Sequence, residues 1–197
     1  MRGTKLAAAT VIQGDGRMEG VVEQELVLAA RLGDEVAFAR LIESEAPRTY
    51  RAVLAVVRSP EDAQEVMQDA STRAWRQLGG LRDAGNWPAW FRRIAIRQAI
   101  DRAGRVKRRQ VREFNFGSIE DPGGPDPTAA WARHATVMEA LAGLSAEDRA
   151  VLGLRYGADL AVPEVAATLG IPLGSAKSRL HRATGRLAAA MGDSHEY

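Results

Sequence analysis

The sequence predicts an all-α protein: two small helical domains, a helical bundle followed by a helix-turn-helix unit, joined by a flexible linker. Three observations predict it. Apolar residues recur at helical spacing through most of the chain, while alternation of period two is nearly absent. Helix start and stop signals recur: Ser59-Pro60 and Ser145 as starts, Gly33, Gly79-Gly80, Gly157 and Gly170 as stops. Residues 114–125 carry the Gly, Pro and acid content of a linker rather than of a core. The expected layout is a flexible tail over 1–22, a first domain over 23–112, an acidic linker over 113–126, a second domain over 127–192 and a short tail over 193–197.

Taken in order, Val27, Leu28 and Leu32 form a first short stripe that Gly33 stops. Asp34 caps a second helix with Ala37, Phe38, Leu41 and Ile42 inward; Pro47 either bends it or restarts it, and Tyr50, Val53, Leu54 and Val57 carry it on. Ser59-Pro60-Glu61-Asp62 combines an N-cap hydroxyl, proline at the first helical position and early acids. The helix it opens buries Ala63, Val66, Met67, Ala70, Ala74 and Leu78, and sets Glu61, Glu65 and Asp69 on its other side at i, i+4, i+8. After the loop Leu81 to Asn86 comes a helix capped by Asn86 and packed by Trp87, Trp90, Phe91 and Ile94, which Gly104 weakens. Trp90 reads as core; Trp87 is left open between core and a base-stacking role. In the second domain one helix runs from Asp126-Pro127 through Trp131, Val137, Met138 and Leu141 to Gly143. Another starts at Ser145 and carries Val151, Leu152 and Tyr156 to Gly157. A short helix over Pro163 to Leu169 then turns at Gly170-Ile171-Pro172 into a long one from about Gly174 to Met191.

Charge is nearly balanced overall, 27 basic against 25 acidic residues, so its distribution is what informs. Arg92, Arg93, Arg97, Arg102, Arg105, Lys107, Arg108, Arg109 and Arg112 face only Asp101, and Lys177, Arg179, Arg182 and Arg186 face no acid between Val165 and Met191. Two separate basic segments on a near-neutral chain point to two polyanion contacts.

The last two helices are the sharpest local signal. Ala166 lets them approach closely and Gly170 supplies the tight turn, so the second projects its amino-terminal turns outward, as a major-groove reader must. With Ala176, Leu180 and Leu187 inward, Ser175, Lys177, Ser178, Arg179, His181 and Arg182 are left to meet phosphates and base edges. An ordinary helical hairpin with a basic solvated face would carry the same residues.

The surrounding residues go further. Leu144-Ser145-Ala146-Glu147-Asp148-Arg149-Ala150-Val151-Leu152 and the run Val162 to Ala183, above all Gly174-Ser175-Ala176-Lys177-Ser178-Arg179-Leu180-His181-Arg182-Ala183, resemble region 4 of the sigma-70 family of bacterial RNA polymerase sigma factors. Leu28 to Phe38, Ala63 to Asp69 with Arg73-Ala74-Trp75-Arg76, and Trp90 to Ala95 with Ala99-Ile100-Asp101 resemble region 2. Both matches in this order, with only a linker between, resemble the extracytoplasmic-function (ECF) subfamily. Arg97 departs from the asparagine usual there, Gly104 from arginine, and Ala161-Val162-Pro163 from Ser-Tyr-x.

The resemblance implies a sigma factor that directs core polymerase to promoters by recognising and melting DNA. It implies that the face of Glu61, Glu65, Gln68, Asp69 and Thr72 docks on the clamp coiled coil of the largest subunit, with the flap as a second polymerase contact. It further implies that Arg82, Asp83 and Asn86 border the capture of an unstacked base of the downstream element, an extrusion that costs a few kcal/mol, and that Arg92, Arg93 and Arg97 hold adjoining phosphates. The helix-turn-helix residues would grip the upstream element as duplex. The acidic linker would thread the polymerase channel by mimicking nucleic-acid charge, and an anti-sigma factor is the expected regulator.

Other classes find little support. His134, His181 and His195 lie far apart without metal-ligand spacing, cysteine is absent, and there is no P-loop or dinucleotide fingerprint, so no catalysis, metal or cofactor is expected. A stand-alone helix-turn-helix regulator would explain the second domain and leave 25–112 without a role. No stretch reaches the ~20 apolar residues of a membrane span. The apolar run Leu6 to Ile12 imitates a secretion signal but is followed at once by Gln13, Asp15 and Arg17. A cytoplasmic protein is expected.

Overall fold

A computed structural model of the protein describes residues 16–114 and 136–193, and every regular element among them is helical. The amino-terminal tail up to Asp15, nearly all of the acidic linker, Trp131 and the last four residues lie outside the described residues.

Four helices build the first domain: α1 (Gly16–Arg31), α2 (Glu35–Val57), α3 (Pro60–Gln77) and α4 (Trp87–Phe114). Asp34 caps α2 through its carboxylate, which accepts from the N–H groups of Val36 and Ala37 at 2.9 and 3.0 Å. Ser59 caps α3 by accepting from the Asp62 N–H at 3.1 Å, with Pro60 in the first turn. Helix α2 runs unbroken through Pro47, which only removes one intrahelical donor. The bundle core is Val27, Leu41, Val53, Val66, Ala70, Ala74, Trp87, Phe91 and Ile96.

The structure differs from expectation at two ends of this domain. Helix α1 already begins at Gly16, inside the expected tail, and it turns Val27 and Ala30 inward while Leu28 and Leu32 are 54% and 92% exposed. Leu32 falls in the turn after the helix, so its register no longer belongs to the stripe. At the other end α4 passes straight through Gly104 and reaches Phe114; a Cβ at Gly104 would meet only the Arg108 side chain, and nothing there breaks the helix.

The second domain opens with a helical segment over 136–140 and a tight turn Leu141–Gly143. It continues with α5 (Ala146–Leu152), one widened π-type turn (Gly153–Gly157), α6 (Val162–Leu169) and α7 (Leu173–Asp193). Ser145 caps α5 by accepting from the Asp148 N–H at 3.1 Å.

The two domains do not hang apart on their linker. Ala150, Val151, Leu154, Ala158, Leu160 and Val165 join the first domain's residues in one continuous apolar core against the carboxy-terminal half of α2. The approach is close because Gly153 and Gly157 carry no side chain. A Cβ on Gly153 would lie 2.7 Å from the Ala52 carbonyl oxygen, and one on Gly157 would lie 3.2 Å from that of Arg51.

Candidate nucleic-acid and polymerase interfaces

In the helix-turn-helix unit, Gly170 ends α6 in the left-handed conformation, φ +67°, which glycine adopts without strain. Its N–H and that of Ile171 close on the carbonyls of Ala167 and Ala166. Ala166 and Ala176 are buried, and Ala183 is buried in a cluster with Leu141, Leu144 and Leu152, with Leu180 and Leu187 half-buried against it. Ser175, Lys177, Ser178, His181 and Arg182 are exposed and Arg179 is half-buried, so the structure brings all six predicted readers onto the outer side of α7's first turns. Among the described residues Lys177, Arg179 and Arg182 make no ion pair. Arg186, grouped with them by sequence, does: it reaches the Asp148 carboxylate at 2.6 Å and ties α7 to α5.

On α3, Glu61, Glu65, Gln68, Asp69 and Thr72 are all exposed along one side. The Glu61 carboxyl is held below its usual range by backbone N–H donation and by the Ser59 hydroxyl, 2.9 Å away. Glu65 and Asp62 share Arg102, at 2.6 and 2.5 Å, which fixes α3 against α4. Asp69 stands in a groove between α3 and α4 with Thr72, Arg73, Arg76 and Arg105.

The loop before α4 is held from below. Arg31, at the end of α1, donates to the Leu78 and Leu81 carbonyls. Asp83 accepts from the Gly85 N–H at 3.0 Å and starts a single tight turn, Ala84–Asn86. Arg82, Asp83 and Asn86 are exposed on it. Arg31 was missed by sequence reasoning, because nothing in a last-turn arginine distinguishes a loop support from a solvated charge.

The arginines of α4 divide. Arg97 is exposed. Arg93 is exposed at its tip and donates to the Ala167 and Thr168 carbonyls at the end of α6. Arg92 is a correction to the sequence reading: it is 5% exposed, points into the bundle, and pairs with buried Glu45 at 2.8 Å, out of reach of any phosphate. Its helical phase puts it between Phe91 and Ala95 on the inner side, and only Glu45, 47 residues earlier, makes that tolerable. Glu23 completes the cluster, its carboxyl pushed up to about 7 by burial and then by Glu45, against the opposing pull of Arg92.

The open question of Trp87 closes on the core side. It is fully buried, stacked on Phe91 at 5.4 Å and met edge-on by Phe38 at 5.8 Å, while Trp90 is half-buried beside it.

Comparison with known proteins agrees with this geometry. Residues 41–109 match the family model for sigma-70 region 2, and residues 140–189 match that for sigma-70 region 4. The RNA polymerase sigma-E factor of Streptomyces avermitilis is 30% identical over 155 residues, 79% of this chain and 85% of that protein. The ECF RNA polymerase sigma factor SigM of Mycobacterium tuberculosis is 30% identical over 171 residues, 86% of this chain and 85% of its own length. Among solved structures the fold is similar to CnrH in complex with the cytosolic domain of CnrY, with TM-score 0.68 and 23% identity over 89% of this chain and 99% of that one. It is also similar to RpoE in complex with the anti-sigma factor NepR from Bartonella quintana, with TM-score 0.64 and 22% identity over 79% and 96%. With regions 2 and 4 both matched, in order and over helices that expose the corresponding faces, the chain belongs to the ECF subfamily of sigma-70 factors, which direct RNA polymerase to promoters and begin transcription by recognising and melting DNA.

Proposed function

We propose the following division of labour on the molecule's surfaces. The α3 side bearing Glu61, Glu65, Gln68, Asp69 and Thr72 docks on the clamp coiled coil of the polymerase's largest subunit, and the second domain meets the flap. The turn of Arg82, Asp83 and Asn86 captures an extruded base of the downstream element, with Arg93 and Arg97 on its phosphates. Ser175, Lys177, Ser178, Arg179, His181 and Arg182 grip the upstream element as duplex. The linker, acidic through Glu113, Glu120, Asp121 and Asp126, lies in the polymerase's nucleic-acid channel. An anti-sigma factor regulates the protein, as the solved complex of RpoE with NepR illustrates for a protein of like fold. The protein works in the cytoplasm and carries out no bond chemistry of its own; among the described residues no helix is long and apolar enough to cross a membrane.

One observation carries this reading: α7 presents Lys177, Arg179 and Arg182 outward, without ion pairs among the described residues, on a stripe of buried alanines, in the same chain as the uncovered acidic side of α3. The two surfaces are separable by mutation. Asp69→Lys should abolish co-elution with core polymerase while leaving duplex binding by α7 unchanged. Arg179→Ala with Arg182→Ala should do the reverse. If Asp69→Lys co-elutes with core as wild type does, α3 is not the docking surface.

A further inference from the structure

The turn that carries Arg82, Asp83 and Asn86 is reached through two adjacent glycines, Gly79 and Gly80, which give the backbone many conformations to lose on ordering. Neither takes a positive φ, and a Cβ on either would meet nothing within 4 Å, so lack of room does not require glycine there. The segment is nevertheless built as two closed turns. The Leu81 N–H donates to the Leu78 carbonyl at 3.2 Å, and the Asn86 N–H donates to that of Asp83 at 3.1 Å. Leu78 and Leu81 are buried and anchor the first turn in the core.

Arg31 closes over that first turn. Its guanidinium donates from Nε to the Leu78 carbonyl at 3.4 Å and from Nη2 to the Leu81 carbonyl, so one planar group spans both glycines. It makes no ion pair among the described residues, and buried Val27 and Ala30 fix its helix against the core. Earlier on α1, Gln24 lies over the second turn: a Cβ on Gly85 would stand 2.9 Å from its amide nitrogen. Helix α1 thus supports both turns, while Arg82, Asp83 and Asn86 stay exposed.

We infer that Arg31 is a positioning residue for single-strand capture. By holding the Leu78 and Leu81 carbonyls it keeps the turn of Arg82, Asp83 and Asn86 in the shape that receives an extruded base, without touching the DNA itself. The inference rests on the base-capturing reading of that turn. A strand that binds only the ordered turn loses affinity in proportion to the fraction of molecules in which the turn is loose. Loosening it therefore weakens capture but leaves the captured contacts as they were.

The test uses holoenzyme assembled from core polymerase and the full chain, titrated with a labelled single-stranded oligomer from the non-template strand of a promoter that it starts. Arg31→Ala should weaken binding about tenfold, the equivalent of one net hydrogen bond. Arg31→Lys should fall between, because an ammonium cannot fork across two carbonyls. Adding Gly79→Ala and Gly80→Ala to Arg31→Ala should recover about two- to fivefold for each, since alanine restricts the loosened chain. The slope of log K against log salt should stay that of the unmodified protein, whereas a lost phosphate contact would lower it by about 0.7. Co-elution with core and binding of upstream duplex should not change.

Unmodified affinity in Arg31→Ala overturns the inference. So does a loss that comes with the lower salt slope, which would make Arg31 a phosphate contact, and so does a loss that Gly79→Ala with Gly80→Ala leaves unrepaired. Asn86→Ala reads the premise separately. If that variant binds the oligomer normally, the turn is not the capturing element and both readings fall; if it binds poorly while Arg31→Ala binds normally, only the positioning role falls.

Discussion

Replacing Arg92 with methionine tests whether this residue belongs to the bundle or to the DNA. The guanidinium lies 2.8 Å from the Glu45 carboxylate, with side-chain exposures of 7% and 10%, and Glu23 is close enough to feel both charges. Arg92→Met keeps most of the apolar stem but strands Glu45 in the core. Breaking a buried pair from one side costs about 3–5 kcal/mol. For a body of this size a loss of 3–5 kcal/mol lowers Tm by roughly 6–20 °C. Removing both partners, in Arg92→Met with Glu45→Leu, should restore most of the loss, since a well-packed apolar pair replaces a buried ion pair at little cost. Thermal melts followed by circular dichroism measure both variants, and binding of a single-stranded promoter oligomer is measured well below the melt. The reasoning is refuted if Arg92→Met melts like the unmodified protein while losing the oligomer.

Two further outcomes follow from the same geometry. The Glu23 carboxyl is raised from 4.5 to about 7 in the folded state, so the folded protein binds the extra proton between those values. Its contribution is full below about pH 4.5, falls as pH rises toward 7, and is flat above; Glu23→Gln should remove that slope from a plot of Tm against pH. On α7, Lys177→Ala and Arg182→Ala should each reduce the dependence of log K on log salt for upstream duplex by about 0.9, a measure of one lost phosphate contact. An unchanged slope would place these side chains off the backbone.

Much of this was legible because helix ends are written locally. Asp34, Ser59 and Ser145 cap where an oxygen can reach the first free N–H groups, and Gly170 takes the positive φ of its turn. The burial of Ala176, with Leu180 and Leu187 half-buried in line with it, beneath an exposed basic ridge follows from spacing alone. What escaped is what depends on distant partners. Arg92 sits in a basic run and looks like its neighbours until Glu45 is brought to it. Gly157 looks like the end of a helix and Gly153 lies inside that expected helix; their use as a seat for α2 needs the other domain. A signal was present: Ala52 to Val57 is apolar at every position, too much for a helix with one buried side, and the surplus face is the one the second domain covers.

As a sigma factor this chain confers promoter choice on RNA polymerase. Core enzyme supplemented with the purified protein, transcribing a library of promoter duplexes with every transcript's 5′ end mapped, tests it most directly. Discrete starts are expected at a fixed distance from a shared pair of sequence elements, lost together with Asp69→Lys and redistributed by Arg179→Ala. Starts no different from those of core alone would contradict it.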